Sequence, residues 1–180
     1  MNVKIVAGIK VRYLRVRDLL SLDGFTSPEV QKPERRLRTL GNRPYELYYD
    51  FEMLRETVMT AKTDESNGEL HNDPHESYSI AKNGSKELVG FASTGGIMSD
   101  IVIEGRYRKI PDVHYVDVHP EYRGRGIGTA LVEKLLQHHT FLTLSSVSYL
   151  GDTLTSKLLH VYGHPEDRKV IRAPKRTRNV

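Results

Sequence analysis

The sequence predicts one mixed α/β domain, and three observations point to it. Apolar and polar residues alternate through "VKIVAGIKVRYLRV" and again on both sides of Asn83-Gly84, the two-residue period of a half-buried strand. Residues 112 to 148 run strand, glycine-marked turn, helix, strand, a βαβ-like unit. A chain of 180 residues with no internal repeat and no linker-like stretch fits a single core.

Taken in order, residues 2 to 16 read as one strand or a small hairpin, with Gly8 as a turn or bulge. "SPEVQKPERRLRTL" and "RPYELYYDFEMLRETVMTA" each open on a capping or proline signal and carry apolar residues at helical spacing. Two helices are expected there, the second with Leu47, Phe51, Leu54 and Val58 on one face. "KTDESNGELHNDPHES", residues 62 to 77, is polar and rich in turn formers and reads as a surface loop. Asn83-Gly84 is the strongest hairpin signal in the chain. "DIVIEGRYRKI" either prolongs a strand or adds one, and "DVHYVDV" is a strand running into His119-Pro120. A helix follows from about Gly126 to His139, with Ile127, Ala130, Leu131 and Leu135 toward the sheet and Glu133, Lys134 and Gln137 outward. "TFLTLSSVS" is the next strand. "DTLTSKLLHVYGHP" has an Asp cap, Leu154, Leu158 and Val161 at helical spacing, and a Gly163, Pro165 stop, so a short helix is expected. "RKVIRAP" reads as a last short strand.

Composition removes several classes of function. With no cysteine there is neither a disulfide framework nor a thiolate ligand or nucleophile. The eight histidines include no H-E-x-x-H, and His138 and His139 point to different sides of a helix, so no metal site is expected. No apolar run approaches the roughly 18 residues of a membrane span. The first residues lack the pattern of a signal peptide, and a cytoplasmic location is expected. Net charge is +4, and Arg168, Lys169, Arg172, Lys175, Arg176 and Arg178 crowd the end of the chain. A basic tail of this kind can meet nucleic acid or an acidic partner, although a solvated end is the commoner outcome.

The most informative stretch is "YVDVHPEYRGRGIGTALVEKL", residues 115 to 135. Helix N-termini bind anions because their first amides are unpaired and the helix dipole is positive there. Gly124, Gly126 and Gly128 let an anion approach the backbone, and Arg123 and Arg125 add charges that suit phosphate. A P-loop is excluded because Ile127-Gly128-Thr129 supplies no lysine. A dinucleotide fingerprint is excluded because its third glycine position falls on Thr129 or Leu131.

What remains is R-x-x-G-x-G at Arg123, Gly126 and Gly128, behind the strand Val116-Asp117-Val118. In this form the segment resembles the acetyl-CoA-binding motif of the GCN5-related N-acetyltransferases (GNAT), closely over about residues 112 to 139 and more weakly on either side. The resemblance implies a single GNAT-type domain over residues 1 to 167, with residues 168 to 180 as a basic strand or tail. Its mixed, bent sheet would be flanked by helices, with a cofactor splay between central parallel strands at 113 to 119 and 140 to 148. It also implies that the backbone of Val116 and Val118 holds the pantetheine arm and that the amides from Gly124 through Thr129 take the pyrophosphate.

The family often carries a carboxylate base on the strand before the glycine turn, and counting back from Arg123 that position resembles Asp112. Asp112, His114, Val116 and Val118 share one face of a strand because side chains alternate, which makes both Asp112 and His114 candidate bases, and Asp117 points the other way. The family's thiolate acid, a tyrosine four residues before a Gly-Phe pair, is replaced by Leu159 here, ahead of Gly163-His164. His160 is adjacent and Tyr162 is nearby, and either is a candidate substitute. Asp152 lies where the family often has an asparagine contacting the pantetheine arm.

The resemblance thus implies acetyl transfer from acetyl-CoA to a primary amine by direct attack in a ternary complex. The acceptor would be a small molecule or a macromolecule. Its specificity would lie in the first helices, residues 62 to 77 and residues 95 to 110. The alternative is a non-catalytic acyl-CoA-binding module that docks an acidic or nucleic-acid partner through its basic tail.

Overall fold

The computed structural model describes residues 3–29, 36–40, 43–47, 51–71, 73, 75–103, 105–144, 154, 156, 158–159 and 170–172. Strands β1 (Lys4–Val6) and β2 (Ile9–Arg15) form the first hairpin. Its turn, Ala7-Gly8, has positive φ at both positions, 48° and 77°, the twist that suits a two-residue hairpin. A 3-10 turn over Val16–Leu22 follows and buries Val16, Leu19 and Leu22.

The next segment departs from expectation. In place of the first of two helices, β3 (Arg36–Leu40) and β4 (Arg43–Leu47) form a separate two-stranded antiparallel sheet. Leu47 is therefore a strand residue, and the helix α1 spans Glu52–Asn67. A Gly-Asn pair at 41 and 42 between two short runs is a sequence signal for a hairpin. Helical spacing of the leucines and arginines masked it. Phe51, Leu54 and Val58 are buried as expected. The helix ends at Gly68 with φ 73°, a left-handed C-cap that glycine adopts without strain. Residues 62 to 67, expected in a loop, are thus the last turns of α1.

Strands β5 (Ser77–Lys82), β6 (Leu88–Ile103) and β7 (Arg106–Val118) form an antiparallel meander. The Asn83-Gly84 hairpin is present, and Asn83 closes it by accepting from the Glu87 amide at 2.9 Å. After β7 come a 3-10 turn at Pro120–Tyr122, helix α2 (Ile127–Leu136), β8 (Leu142–Leu144) and β9 (Val170–Arg172). Leu154, Ser156, Leu158 and Leu159 are helical. The main sheet runs β1-β2-β5-β6-β7-β8-β9, antiparallel up to β7 and parallel from β7 through β9. Bulges in the β5–β6 and β6–β7 pairings bend it.

Alternate strand residues supply two cores. Val11, Ala81, Ala92 and Val113 pack with Ile127, Ala130, Leu131 and Leu135 of α2. Leu14, Tyr78, Ile80 and Phe91 pack with α1 and the 3-10 turn on the other face. Lys134, expected to face outward, is 2% exposed and donates to Gln137 at 2.8 Å. The reason is its position seven residues after Ile127, on the stripe of α2 that faces the sheet.

Candidate functional site

The glycine turn is shaped by its backbone. Gly124 and Gly126 sit at φ 72° and 79°, and Gly126 is the N-cap of α2. A side chain in this region costs about 1–2 kcal/mol, so both positions favour glycine. Helical bonding opens with the Ala130 N–H donating to the Gly126 carbonyl at 3.0 Å, and the first amides of a helix are left for an external acceptor. Gly128 is different. A Cβ there would meet Leu154, Val116 and Val118 at 3.6–3.8 Å, which is ordinary contact.

The two arginines turn back onto the loop. Arg123 Nε donates to the Val118 carbonyl at 2.9 Å. Arg125 donates to the Glu121 carbonyl at 2.9 Å, with its guanidinium 5.1 Å from the Tyr122 ring centre. Their role in this structure is to brace the turn around His119, which is fully buried. His119 Nδ1 accepts from the Glu121 amide at 3.3 Å, so its Nε2 carries the proton toward the Pro28 carbonyl at 3.1 Å.

The face assignment on β7 needs correction. Ser93 of β6 stands opposite Tyr115 and Thr94 opposite Val113, which leaves His114 as the extra residue of a bulge. Val113, Val116 and Val118 therefore all pack toward α2, which strict alternation forbids. Asp112 and His114 do not share the valine face. Asp112 pairs in register with Thr143 of β8 and is 7% exposed. Asp117, opposite Phe91, stands on the same side of the sheet as Tyr115.

That side carries a cleft of about 490 Å³. His114 and Tyr115 form part of its wall, their rings stacked at 4.3 Å. Helix α1 contributes Glu56, Thr60 and Asp64, spaced by four residues along one stripe. Ser93 and Tyr78 line it from β6 and β5, and Glu76 and His71 from the segment before β5. The Tyr78 hydroxyl donates to the Glu76 carboxylate. Burial, and then that bond, push the tyrosine's pKa far above its usual value, so it remains a donor. A Cβ at Gly95 would lie 2.9 Å from Glu76 Cγ, so glycine makes room for this carboxylate.

The structure thus places Val116, Val118, Arg123, Gly124, Arg125, Gly126, Gly128 and Thr129 together at the junction of β7 and α2. It places His114 in the cleft. Asp152 and Tyr162 lie outside the described residues, as do residues 145 to 148 of the expected splay. The β7–β8 pairing is described at Asp112–Thr143 and Val113–Leu144. Sequence reasoning singled out none of Glu56, Asp64, Glu76 or Ser93. The i, i+4, i+8 stripe on α1 was the available signal, hidden by reading residues 62 to 77 as loop. Among the described residues no cluster suits a metal ion, and no helix is long and apolar enough to cross a membrane.

Comparison with known proteins gives a family match. The model of the Acetyltransferase (GNAT) family matches residues 36–158. No curated protein matches the chain. Among solved structures, an acetyltransferase from Trypanosoma brucei is 19% identical, with 96% of this chain and 98% of that one covered at a TM-score of 0.46. A predicted acetyltransferase with acetyl-CoA from Clostridium acetobutylicum is 15% identical over 83% and 87%, at 0.45. A ribosomal-protein-alanine N-acetyltransferase from Brucella melitensis is 17% identical over 83% and 89%, at 0.47.

Proposed function

Because the chain belongs to the GNAT acetyltransferase family, we propose that it moves an acetyl group from acetyl-CoA to a primary amine held in the cleft, by direct attack in a ternary complex. The observation that best supports this is the division of roles along β7. Val116 and Val118 lead on one face to the glycine turn, while the bulge just before them turns His114 into the cleft on the other. A donor whose pyrophosphate meets the amides of residues 124 to 129, and whose arm follows the backbone at Val116 and Val118, brings its thioester toward that bulge.

In this reading the amine nitrogen attacks the thioester carbonyl carbon, the C–S bond breaks, the nitrogen gives up a proton as the amide forms, and the departing thiolate takes one up. The ammonium must first lose a proton. We assign that proton to His114, because it faces the cleft and imidazoles exchange protons near neutral pH. Asp112, buried two residues earlier, is the alternative base. Arg123 and Arg125 act by holding the turn, Thr129 and Asp152 as further donor contacts, and Tyr162 as the acid for the thiolate where Leu159 replaces the usual tyrosine. No cysteine is present to carry an acyl group, which favours direct transfer.

A thermal shift with acetyl-CoA, CoA and NAD as separate ligands tests the donor. A ligand at about 100 times its dissociation constant adds roughly 2.7 kcal/mol. Stabilisation by both CoA species, absent with NAD and lost in Gly126→Glu, is expected. No response to either CoA species overturns the assignment.

A further inference from the structure

We propose that the protein has a second anion site, for a soluble compound carrying two or three linked phosphates, on the face of the sheet opposite α2. The site goes beyond the acetyltransferase reading and does not depend on it. In the pairing of β2 with β5, Leu14 lies opposite Tyr78, Arg12 opposite Ile80 and Lys10 opposite Lys82. Leu14, Tyr78 and Ile80 belong to the core under α1. Alternation therefore puts Lys10, Arg12 and Lys82 on that same face, at the end of its core. Helix α2 and the glycine turn that starts it lie on the other face.

These charges are not offset. Among the described residues, none of Lys10, Arg12, Lys82 and Lys86 meets a carboxylate. Lysines placed directly opposite each other, with Cβ atoms about 5 Å apart, repel. Burial, then the charges of Arg12 and Lys86, lower the pKa of Lys82, so Lys86 of the Asn83 hairpin adds a fourth charge to the row. The carboxylate beside it in the chain, Glu87, accepts from the Asn83 side chain at 2.8 Å. A second observation is independent of the number of charges. Arg12 Nε is buried and has no hydrogen-bond partner among the described residues. A buried charged donor without an acceptor costs free energy until a ligand supplies one. Lys86, in turn, stands at φ 67°, a conformation that suits glycine, so the hairpin holds a lysine there against its backbone preference.

Phosphate oxygens suit this set. A guanidinium fork and neighbouring ammonium groups bind them through charge-assisted hydrogen bonds. The row is short, about 5 Å across the strands and about 7 Å along β2 from Lys10 to Arg12. That is the span of a diphosphate or triphosphate and not of an extended polymer. No described residue bonds Arg12 Nε where it stands, so the guanidinium can turn toward an anion seated between Lys10 and Lys82. Ile5, opposite Lys10 and 66% exposed, gives the row an apolar rim for the rest of such a ligand.

The test is calorimetric titration of inorganic pyrophosphate in the presence of CoA, which occupies the glycine turn, at constant ionic strength. Pyrophosphate should bind, and Lys10→Gln with Lys82→Gln should weaken that binding by about tenfold or more. Arg12→Lys, which keeps the charge and loses the fork, should weaken it as well. Without pyrophosphate the double variant should have a higher urea midpoint than the natural chain, because two facing charges are gone. Pyrophosphate should then raise the midpoint of the natural chain and leave that of the variant where it is. The double variant keeps its glycine turn, so pyrophosphate lost from it was not bound there. Equal pyrophosphate affinity in the two proteins, or no pyrophosphate binding to the natural chain, overturns the proposal. The heat of CoA binding is read before each titration, so failure of the donor site is told apart from failure of this one.

Discussion

Ser77 Oγ stands 2.6 Å from Nε2 of His139, tying the first residue of β5 to the segment just past α2. Burial, followed by the charges of His75 and His138, holds the His139 imidazole below its usual 6.5. His138, stacked on Tyr13 at 3.6 Å, is lowered by burial, then Lys134 and Arg15. Between these depressed values and 6.5 the unfolded chain binds more protons than the folded one. Stability is therefore complete above that range and falls as the pH drops through it. Urea midpoints should be lower at pH ~5.5 than at pH ~7.5, with a smaller difference in His139→Gln. Identical midpoints at both values would contradict the assignment.

Gly90 lies opposite Val118 and under α2, and a Cβ on it would meet Leu131 at 3.1 Å, Ile127 at 3.2 Å and Ala81 at 3.3 Å. All three residues are fully buried, so their methyl groups have little room to give. Gly90→Ala should cost about 1–3 kcal/mol in chemical denaturation. It should also weaken the thermal response to CoA, because Ile127 starts the helix that carries the turn.

The glycines of the turn should not behave alike. Gly126→Ala places a side chain at φ 79° and should destabilise by about 1–2 kcal/mol. Gly128→Ala meets only ordinary contacts inside α2, and an alanine in a helix gains about 0.5–1 kcal/mol over glycine. A denaturation curve for each variant checks the ordering, and equal losses would refute it.

If His114 takes the amine's proton, His114→Gln should lower kcat by about 10²- to 10⁴-fold with little change in KM for acetyl-CoA. An unaltered kcat would move the role to Asp112.

The glycine turn, the strand before it, the apolar face of α2 and the Asn83 hairpin were legible in the sequence because each is a local pattern set by a few adjacent residues. The bulge at His114 was not, because it is a register between β6 and β7 that no single strand encodes. The β3–β4 hairpin was misread because its leucines and arginines also satisfy a helical spacing. Lys134 was misplaced because its charge was weighed above its position, seven residues after Ile127 on the buried stripe of α2. The cleft draws on α1, the start of β5, β6 and β7 at once, and nothing local announces such a convergence.

The parallel side of the sheet has a consequence for how the protein is made. Strands β1, β2, β5, β6 and β7 are all present in a nascent chain once residue 118 has emerged, and each pairs with an antiparallel neighbour. Strand β8 is three residues long and lies between β7 and β9, so its second edge waits for residues 170 to 172. Parallel pairings close long loops and form slowly. The antiparallel part of the sheet can therefore pair while the chain is still being made, and the β8–β9 edge closes only after residues 170 to 172 have emerged.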